Sequence, residues 1–418
     1  MTKFAVLFKM KCRKTYRVLL LLAILLCSSV VRGQDHPWLS NNNLMAEARV
    51  HAGVFWHHHF EMQKFNAHYP AIEVSLYQST YGKNHWETVY HYPYIGVTFY
   101  HANFGLNFEQ NPEVGEALGS VFALYPFINY PLNPNENSQL TFKLGAGLGF
   151  LTKCFDNLDN YQDFAIGSHF NAAVNLSFEY RQRISPRFMT VASFGLTHFS
   201  NGSTKLPNYG LNTFSSALGL AYYLRPPREN QTPAQRPEYK PFEFDRKHWF
   251  SVDLNYGIGF KNVSQTLGGD STHYYNVHDL STYLLVPITP YSSVGPGLSL
   301  ALDLSDQTLP GYDTIDFKIH QLTRLNFNLC YSMTMERLSY FFEFGWHLKY
   351  NHIPLSKGNI YQKVTARYQI YDNIYAHLGL MTHFGRADFL CFGLGYRFNQ
   401  KYYLNHEKGT RHHPPGLH

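Results

Sequence analysis

The feature that most limits the fold of this chain is a repeated alternation of polar and apolar side chains. After residue 45 we find no apolar run of the roughly 20 residues that a transmembrane helix needs. About sixteen segments instead alternate with a period of two, as β-strands do, and turn residues separate them. They lie near 46–60, 71–80, 91–104, 115–128, 138–152, 164–181, 187–200, 211–225, 248–260, 275–288, 295–305, 320–334, 337–350, 359–371, 374–384 and 387–398.

The composition favours a barrel in a membrane over a soluble β domain. Aromatic residues make up 17% of the chain and charged residues only 15%, whereas soluble domains carry about 25% charged residues. We therefore predict an all-β fold, a transmembrane antiparallel β-barrel. Eight strands form its N-terminal half, and about eight more form a second set, either as a separate barrel or within one larger barrel.

The first 33 residues have the pattern of a secretory signal peptide. A basic start is followed by the apolar run 18–31 and by small residues, with cleavage expected after Gly33. This segment holds seven of the 35 Lys and Arg and no acid, so 28 basic residues face 29 acidic ones in the remainder. The basic balance therefore belongs to the leader, and nucleic acid is not an expected partner. Export of a barrel predicts the cell outer membrane.

The rest of the chain divides at a proline-rich segment. Five prolines between 226 and 241 exclude an interior strand. We therefore predict a first barrel over 34–225, a linker over 226–247, a second barrel-like half over 248–398 and a flexible tail over 399–418. The halves resemble a degenerate duplication, since each carries Thr-His-Phe in its seventh segment, but Gly385 stands where the first half has Ser200.

Strand parity indicates which side chains face lipid. In the segment 187–200 the even positions form the more apolar set, and this set includes His198 and Ser200. Asn212 is the first residue of the lipid-facing row in the next strand. In the sixth segment a polar row that ends at Glu179 faces the lumen instead. Small residues on the inner face predict a narrow, filled barrel without a wide pore.

A histidine two residues from a serine is a candidate base and nucleophile. Histidine can accept the proton of a serine hydroxyl, and i and i+2 on one strand put His198 and Ser200 on one face. Polar groups facing lipid are costly and are usually functional. Asn212 would orient the histidine, and Asn201 and Gly202 would supply oxyanion donors. The alternatives are a His and Ser that only contact lipid headgroups and an Asn-Gly-Ser turn without catalytic role.

These residues resemble the active-site signature of the outer-membrane lipid A 3-O-deacylases, the PagL-type acyloxyacyl hydrolases. The resemblance rests on His198-Phe199-Ser200-Asn201-Gly202, followed by Lys205, Pro207-Asn208 and Gly210, and extends over about residues 46–225. It implies an eight-stranded barrel that removes an ester-linked acyl chain from lipid A, with His198 as base and Ser200 as nucleophile. In the family pattern a glutamate stands twelve residues after the serine, and this chain has Asn212 there.

The sequence thus predicts an outer-membrane serine esterase whose substrate is lipid A within lipopolysaccharide and whose surroundings are outer-membrane lipids. No metal or organic cofactor is required. The triple histidine at 57–59 alternates faces on a predicted strand, so its rings would not converge on one metal. Two alternatives stay open: a catalytically decayed barrel that binds lipopolysaccharide or acts as a small channel, and a phospholipase. Monomer and homodimer are equally open.

Overall fold

The computed structural model describes residues 43–57, 60–133, 137–226, 249–263, 273–308, 318–349, 359–383 and 386–398. The predicted signal peptide, nearly all of the linker and the tail lie outside the described residues, as do Gly385 and two of the three consecutive histidines. Within the described ranges no helix is long and apolar enough to cross a membrane.

The first half of the chain forms a closed antiparallel barrel of eight strands in sequence order. Its last strand pairs with its first, which closes the barrel. The strands are β1 (Leu44–Phe55), β2 (His68–Ser79), β3 (Tyr94–Asn103), β4 (Ser120–Pro131), β5 (Ser138–Leu151), β6 (Phe170–Arg183), β7 (Phe188–Ser200) and β8 (Leu211–Arg225).

The second half forms a separate closed barrel of eight strands, so the choice between two barrels and one large barrel is decided for two. Pairing of β16 with β9 closes it. The strands are β9 (Ser251–Val263), β10 (His273–Thr289), β11 (Ser292–Asp303), β12 (Thr323–Met335), β13 (Leu338–Lys349), β14 (Ile360–Tyr371), β15 (Ile374–His383) and β16 (Arg386–Phe398). The 3-10 helices Leu304–Thr308 and Ile319–Gln321 lie between β11 and β12.

Short helices account for two of the places where the strands differ from the prediction. Helix α1 (His85–Val89) follows β2, and α2 (Pro112–Leu118) takes residues that were predicted to begin the fourth strand. Asn111 caps α2 by accepting a hydrogen bond from Glu113 N, a pattern that favours helix over strand. The first strand ends at Phe55 and a 3-10 helix spans Phe60–Phe65. The prediction that the first strand reaches His57 and Phe60 was therefore wrong, while the other two histidines lie outside the described residues.

The predicted alternation of faces is confirmed in the barrel walls. Outward apolar side chains are widely exposed, for example Leu148 at 69%, Leu218 at 68% and Val50 at 65%. Met189 and Val191, on the opposite row of β7, are at most 2% exposed. An exposed apolar surface of this kind is stable only against a bilayer, so both barrels present the lipid-facing band of a transmembrane barrel.

The lumen of the first barrel is filled by side chains, as predicted for a narrow barrel, and many of them are paired charges that were not predicted. Lys143 donates to Glu73 at 2.6 Å, and Arg49 contacts Glu179 at 2.6 Å. Arg181 is fully buried and donates to a carboxylate of β1 and to its strand neighbour Glu179 at 3.0 and 2.8 Å. Buried charges need such partners because desolvation alone would be prohibitive. Glu179 is therefore committed to the lumen and is remote from the lipid-facing row.

The two barrels lie side by side and contact each other at both ends. Ser200 ends β7 at one end of the first barrel, which we call the site end. There Ser203 Oγ donates to Ala387 O at 2.9 Å. At the opposite end Tyr90, next to α1, donates to Tyr291 O at 2.8 Å and packs in an apolar cluster with Met333. Because β7 ends at the site end and the second barrel presents the end of β15 and the start of β16 there, corresponding strands of the two barrels run in the same direction.

Candidate active site

The β7–β8 hairpin brings the predicted base and its predicted orienting residue together. His198 and Asn212 are opposite each other in the strand register. His198 Nδ1 donates to Asn212 Oδ1 at 2.6 Å. Because a carbonyl oxygen only accepts, Nδ1 carries the proton and the lone pair lies on Nε2. Asn212 thus selects the tautomer in which Nε2 can act as a base.

Ser200 lies at the last position of β7 and is only 1% exposed. Its Oγ accepts hydrogen bonds from Gly202 N at 3.2 Å and from Asn208 Nδ2 at 2.9 Å. Between the described side chains of His198 and Ser200 there is no direct hydrogen bond, although both belong to one strand face. Catalytic bonds of this type often shorten only when substrate is bound.

The geometry separates the two predicted oxyanion residues and adds a third. Gly202 directs its N–H at Ser200, as expected. The side-chain amide of Asn201 instead donates to Ser168 Oγ at 3.1 Å and to Lys205 O at 2.8 Å. Asn208 supplies the amide that contacts Ser200, and its Oδ1 accepts from Asn201 N at 3.2 Å. The one indication of Asn208 in the sequence was its place in the Pro207-Asn208 pair of the stretch that resembles the family signature.

Loops cover the site more completely than strand parity alone indicates. Residues 201–210 between β7 and β8, here the site loop, pack against residues 152–169, here the cover loop. Gly210 N donates to Ala165 O at 3.0 Å. A Cβ on Gly167 would lie 2.7 Å from the carbonyl oxygens of Lys205 and Pro207, so only glycine permits this approach. Ser200 belongs to the outward row but is enclosed by its own loop rather than open to lipid.

Two family models match the chain. The model of lipid A 3-O-deacylase (PagL) matches residues 71–221, and that of the acyloxyacyl hydrolase C-terminal domain matches residues 250–400. The chain belongs to the PagL lipid A 3-O-deacylase family. It is therefore a hydrolase that acts on lipid A, and the predictions of family and of lipid A deacylation are confirmed. The second barrel, which the sequence resemblance did not reach, corresponds to the matched C-terminal domain.

Several solved structures of barrel proteins are similar to this deacylase. No curated protein matches it. Neisserial surface protein A (NspA) is 8% identical and covers 44% of the chain and 97% of its own length, with a TM-score of 0.30. The siderophore receptor PirA from Acinetobacter baumannii is 10% identical; the match covers 82% of this chain and 52% of the receptor, with a TM-score of 0.22. The KdgM porin is 7% identical; the match covers 84% of this chain and 99% of the porin, with a TM-score of 0.17. At these scores none of them bears on function.

The amide geometry makes a prediction about the deacylase's two loop asparagines. Asn208→Ala is expected to lower kcat on lipid A by about 10²–10³-fold with little change in KM, as for removal of an oxyanion donor. Asn201→Ala, in the same loop, serves as the matched comparison and should cost less because its amide is bonded elsewhere. A larger loss of kcat for Asn201→Ala than for Asn208→Ala would restore the original prediction for Asn201.

The cover loop contains a buried carboxyl close to the site. Asp163 is inaccessible to solvent, and its Oδ1 accepts from Ala165 N at 3.1 Å and Ile166 N at 3.3 Å. Burial raises the pKa of Asp163 to about 8, while these two N–H groups and the charge of Lys64 act in the opposite direction. The carboxyl is therefore mostly protonated in the closed loop at neutral pH.

Ionisation of Asp163 should open the cover loop. The pKa of the Asp163 carboxyl is about 8 in the closed loop and has its ordinary value of 3.8 when the loop is open. Between these two pH values the carboxyl keeps its proton only in the closed loop, so the stability of the closed loop falls as the pH rises through this range. Protease cleavage within 152–169, compared between wild type and Asp163→Asn at each pH, cancels the protease's own pH dependence. The cleavage rate of the wild type divided by that of Asp163→Asn should be near one at pH 4 and rise about tenfold or more towards pH 8. A constant ratio would refute this account of Asp163.

The Thr-His-Phe match between the two barrels does not reflect equivalent histidines. His383 belongs to the inward row of β15, with Met381 and His377. Its Nε2 lies 3.1 Å from His347 Nε2 in the lumen of the second barrel. His198 belongs to the outward row of β7, so the short sequence similarity joins residues on opposite faces.

Proposed function

We propose that this chain is an outer-membrane serine esterase that hydrolyses an ester-linked acyl chain of lipid A through Ser200. The carrying observation is that two N–H donors converge on Ser200 Oγ while Asn212 fixes the tautomer of His198 on the same hairpin. These are the three groups that acyl transfer requires: a nucleophile, a base with a free lone pair and hydrogen-bond donors for the oxyanion. No other group is needed for the reaction.

The reaction proceeds in two steps. His198 Nε2 accepts the proton of Ser200 as Oγ attacks the ester carbonyl, and the tetrahedral oxyanion is stabilised by Gly202 N and Asn208 Nδ2. Collapse expels the sugar alkoxide, which takes the proton from His198 and leaves an acyl-serine. Water, deprotonated by His198, then attacks the acyl-serine, and the departing Ser200 Oγ takes that proton back from His198 as the fatty acid is released. The asparagine at 212 orients the histidine but adds no charge to stabilise the imidazolium.

The proposed location is the outer leaflet of the outer membrane. The site end carries the longer connections, including the cover loop and α2, and long connections lie outside in barrels of this type. His198 and Ser200 then lie at the level at which the ester-linked chains of lipid A are anchored. The predicted signal peptide would supply the export that this location needs.

The role of Asn212 makes a separate prediction. Asn212→Ala is expected to lower kcat about 10²–10⁴-fold because the tautomer of His198 is no longer fixed. Asn212→Glu should equal or exceed the wild-type rate, since a carboxylate accepts the same hydrogen bond and stabilises the imidazolium. Steady-state release of fatty acid from lipid A by the purified proteins measures both. Wild-type rates in both variants would mean that Asn212 does not orient the base.

Mass spectrometry of lipid A from cells that express the chain tests the proposed substrate. The expected result is the loss of one hydroxyacyl mass relative to cells with an empty vector. Unchanged spectra, with the protein folded in the outer membrane, would contradict the proposal and favour a barrel that only binds lipopolysaccharide. Release of fatty acid from glycerophospholipids, with lipid A intact, would indicate a phospholipase instead.

A further inference from the structure

Ser203 of the site loop lies at the seam where the second barrel closes. The β9–β16 ladder pairs residues up to Phe260 with Leu390. Beyond that pair, Asn262 N of β9 donates to Ser203 O at 3.0 Å, and Ser203 Oγ donates to Ala387 O of β16 at 2.9 Å. Ser203 is 6% exposed. It therefore connects the two strands of the other barrel at the point where their own pairing has ended.

The backbone at this contact has an unfavourable conformation that needs support. Gly202 has φ of 66° and Ser203 has φ of 63°. The left-handed region suits glycine, but a serine reaches it only when the surroundings hold it there. Both main partners of Ser203 described above belong to the second barrel. The turn that directs Gly202 N at Ser200 is thus held at Ser203 by the second barrel, in addition to the bonds that Asn201 makes within the first barrel.

A leucine of the second barrel also limits the space beside Gly202. A Cβ on Gly202 would lie 3.2 Å from Leu390 Cβ and 3.8 Å from Leu380 Cδ1. Leu390 belongs to the outward row of β16, the row that includes Leu394. The outer wall of the second barrel therefore packs directly on the oxyanion donor of the first.

We propose that the second barrel is a positioning element of the active site, which holds Gly202 in place through Ser203 and Leu390. This inference rests on the proposed function of Gly202 as an oxyanion donor. It assigns a role to the C-terminal barrel beyond that of a second membrane anchor. Ser203 and Leu390 act through Gly202 and touch no reacting atom, so they are positioning residues.

Matched tryptophan substitutions on one strand test the proposal in the full chain. The larger side chain in Leu390→Trp should displace Gly202 and lower kcat on lipid A at least about tenfold, with KM changed less than about threefold. This loss is smaller than the one expected when an oxyanion donor is removed altogether. Leu394→Trp, on the same face but 58% exposed, should keep the wild-type kcat. Ser203→Ala, which loses the bond to Ala387, should lower kcat about threefold to tenfold.

Amide hydrogen exchange of the site loop provides a measurement that needs no substrate. The peptide that covers 201–205 should exchange at least tenfold faster in Leu390→Trp than in wild type, and at the wild-type rate in Leu394→Trp. Unchanged exchange in Leu390→Trp would overturn the proposal, as would wild-type kcat in both Leu390→Trp and Ser203→Ala. A wild type that releases no acyl chain from lipid A would refute the proposed function, while the exchange experiment would still decide whether the second barrel holds the loop.

Discussion

Ser200→Ala is expected to lower the rate of fatty acid release from lipid A by about 10⁴-fold or more, since the variant retains the oxyanion donors but has no nucleophile. His198→Ala should lose a comparable factor, and the double variant should be hardly worse than either single one, because the two side chains act in one step. The measurement is release of hydroxy fatty acid by purified, refolded protein in mixed micelles.

Ser193→Ala, seven positions earlier on the same strand, is the matched control and should keep the wild-type rate. All variants should migrate as folded barrels before heating. If Ser200→Ala retains more than about a tenth of the wild-type rate, the nucleophile is a different group and the mechanism proposed for Ser200 is wrong.

Arg181→Met is expected to produce the largest loss of stability in the first barrel. Arg181 is fully buried and donates to Tyr77 Oη, to Glu179 and to Glu47 at 2.8–3.0 Å. Its removal leaves two buried carboxylates without this partner, which costs about 3–5 kcal/mol of the free energy of unfolding. Urea unfolding in lipid vesicles, followed by tryptophan fluorescence, measures the change.

The control for this substitution is Arg187→Met, in the exposed turn between β6 and β7. The one described hydrogen bond of its side chain, to Tyr222 Oη, is exposed, so the free energy of unfolding should change by less than about 0.5 kcal/mol. Equal urea midpoints for Arg181→Met and Arg187→Met would show that the lumenal charge network does not stabilise the barrel.

The strands could be predicted from the sequence because their period is local. Parity correctly assigned Leu218 to the outside and Glu179 to the lumen, since neighbouring residues on a strand must face opposite sides. Closure into two barrels could not be predicted in this way. It depends on pairing of β1 with β8 and of β9 with β16, strands far apart in sequence whose alternation is the same in either arrangement. Helix α2 was missed although Asn111 and Pro112 are ordinary helix-start residues.

The site was predictable to the extent that it lies on strands. Parity put His198 and Asn212 on one row, and the register brings them opposite each other. The role of Asn208 could not be derived, because the fold of the site loop follows from its contacts with the cover loop and the second barrel rather than from a periodic pattern. The same contacts enclose Ser200, which parity alone left facing lipid.

Labelling with a long-chain fluorophosphonate tests the central claim, that Ser200 is an activated nucleophile, most directly. The reagent phosphonylates a serine whose proton a neighbouring base can accept. Peptide mass analysis of the wild type is expected to find the adduct on Ser200, with labelling greatly slowed in His198→Ala. A wild-type protein that deacylates lipid A but carries the label on another residue, or no label, would contradict the account.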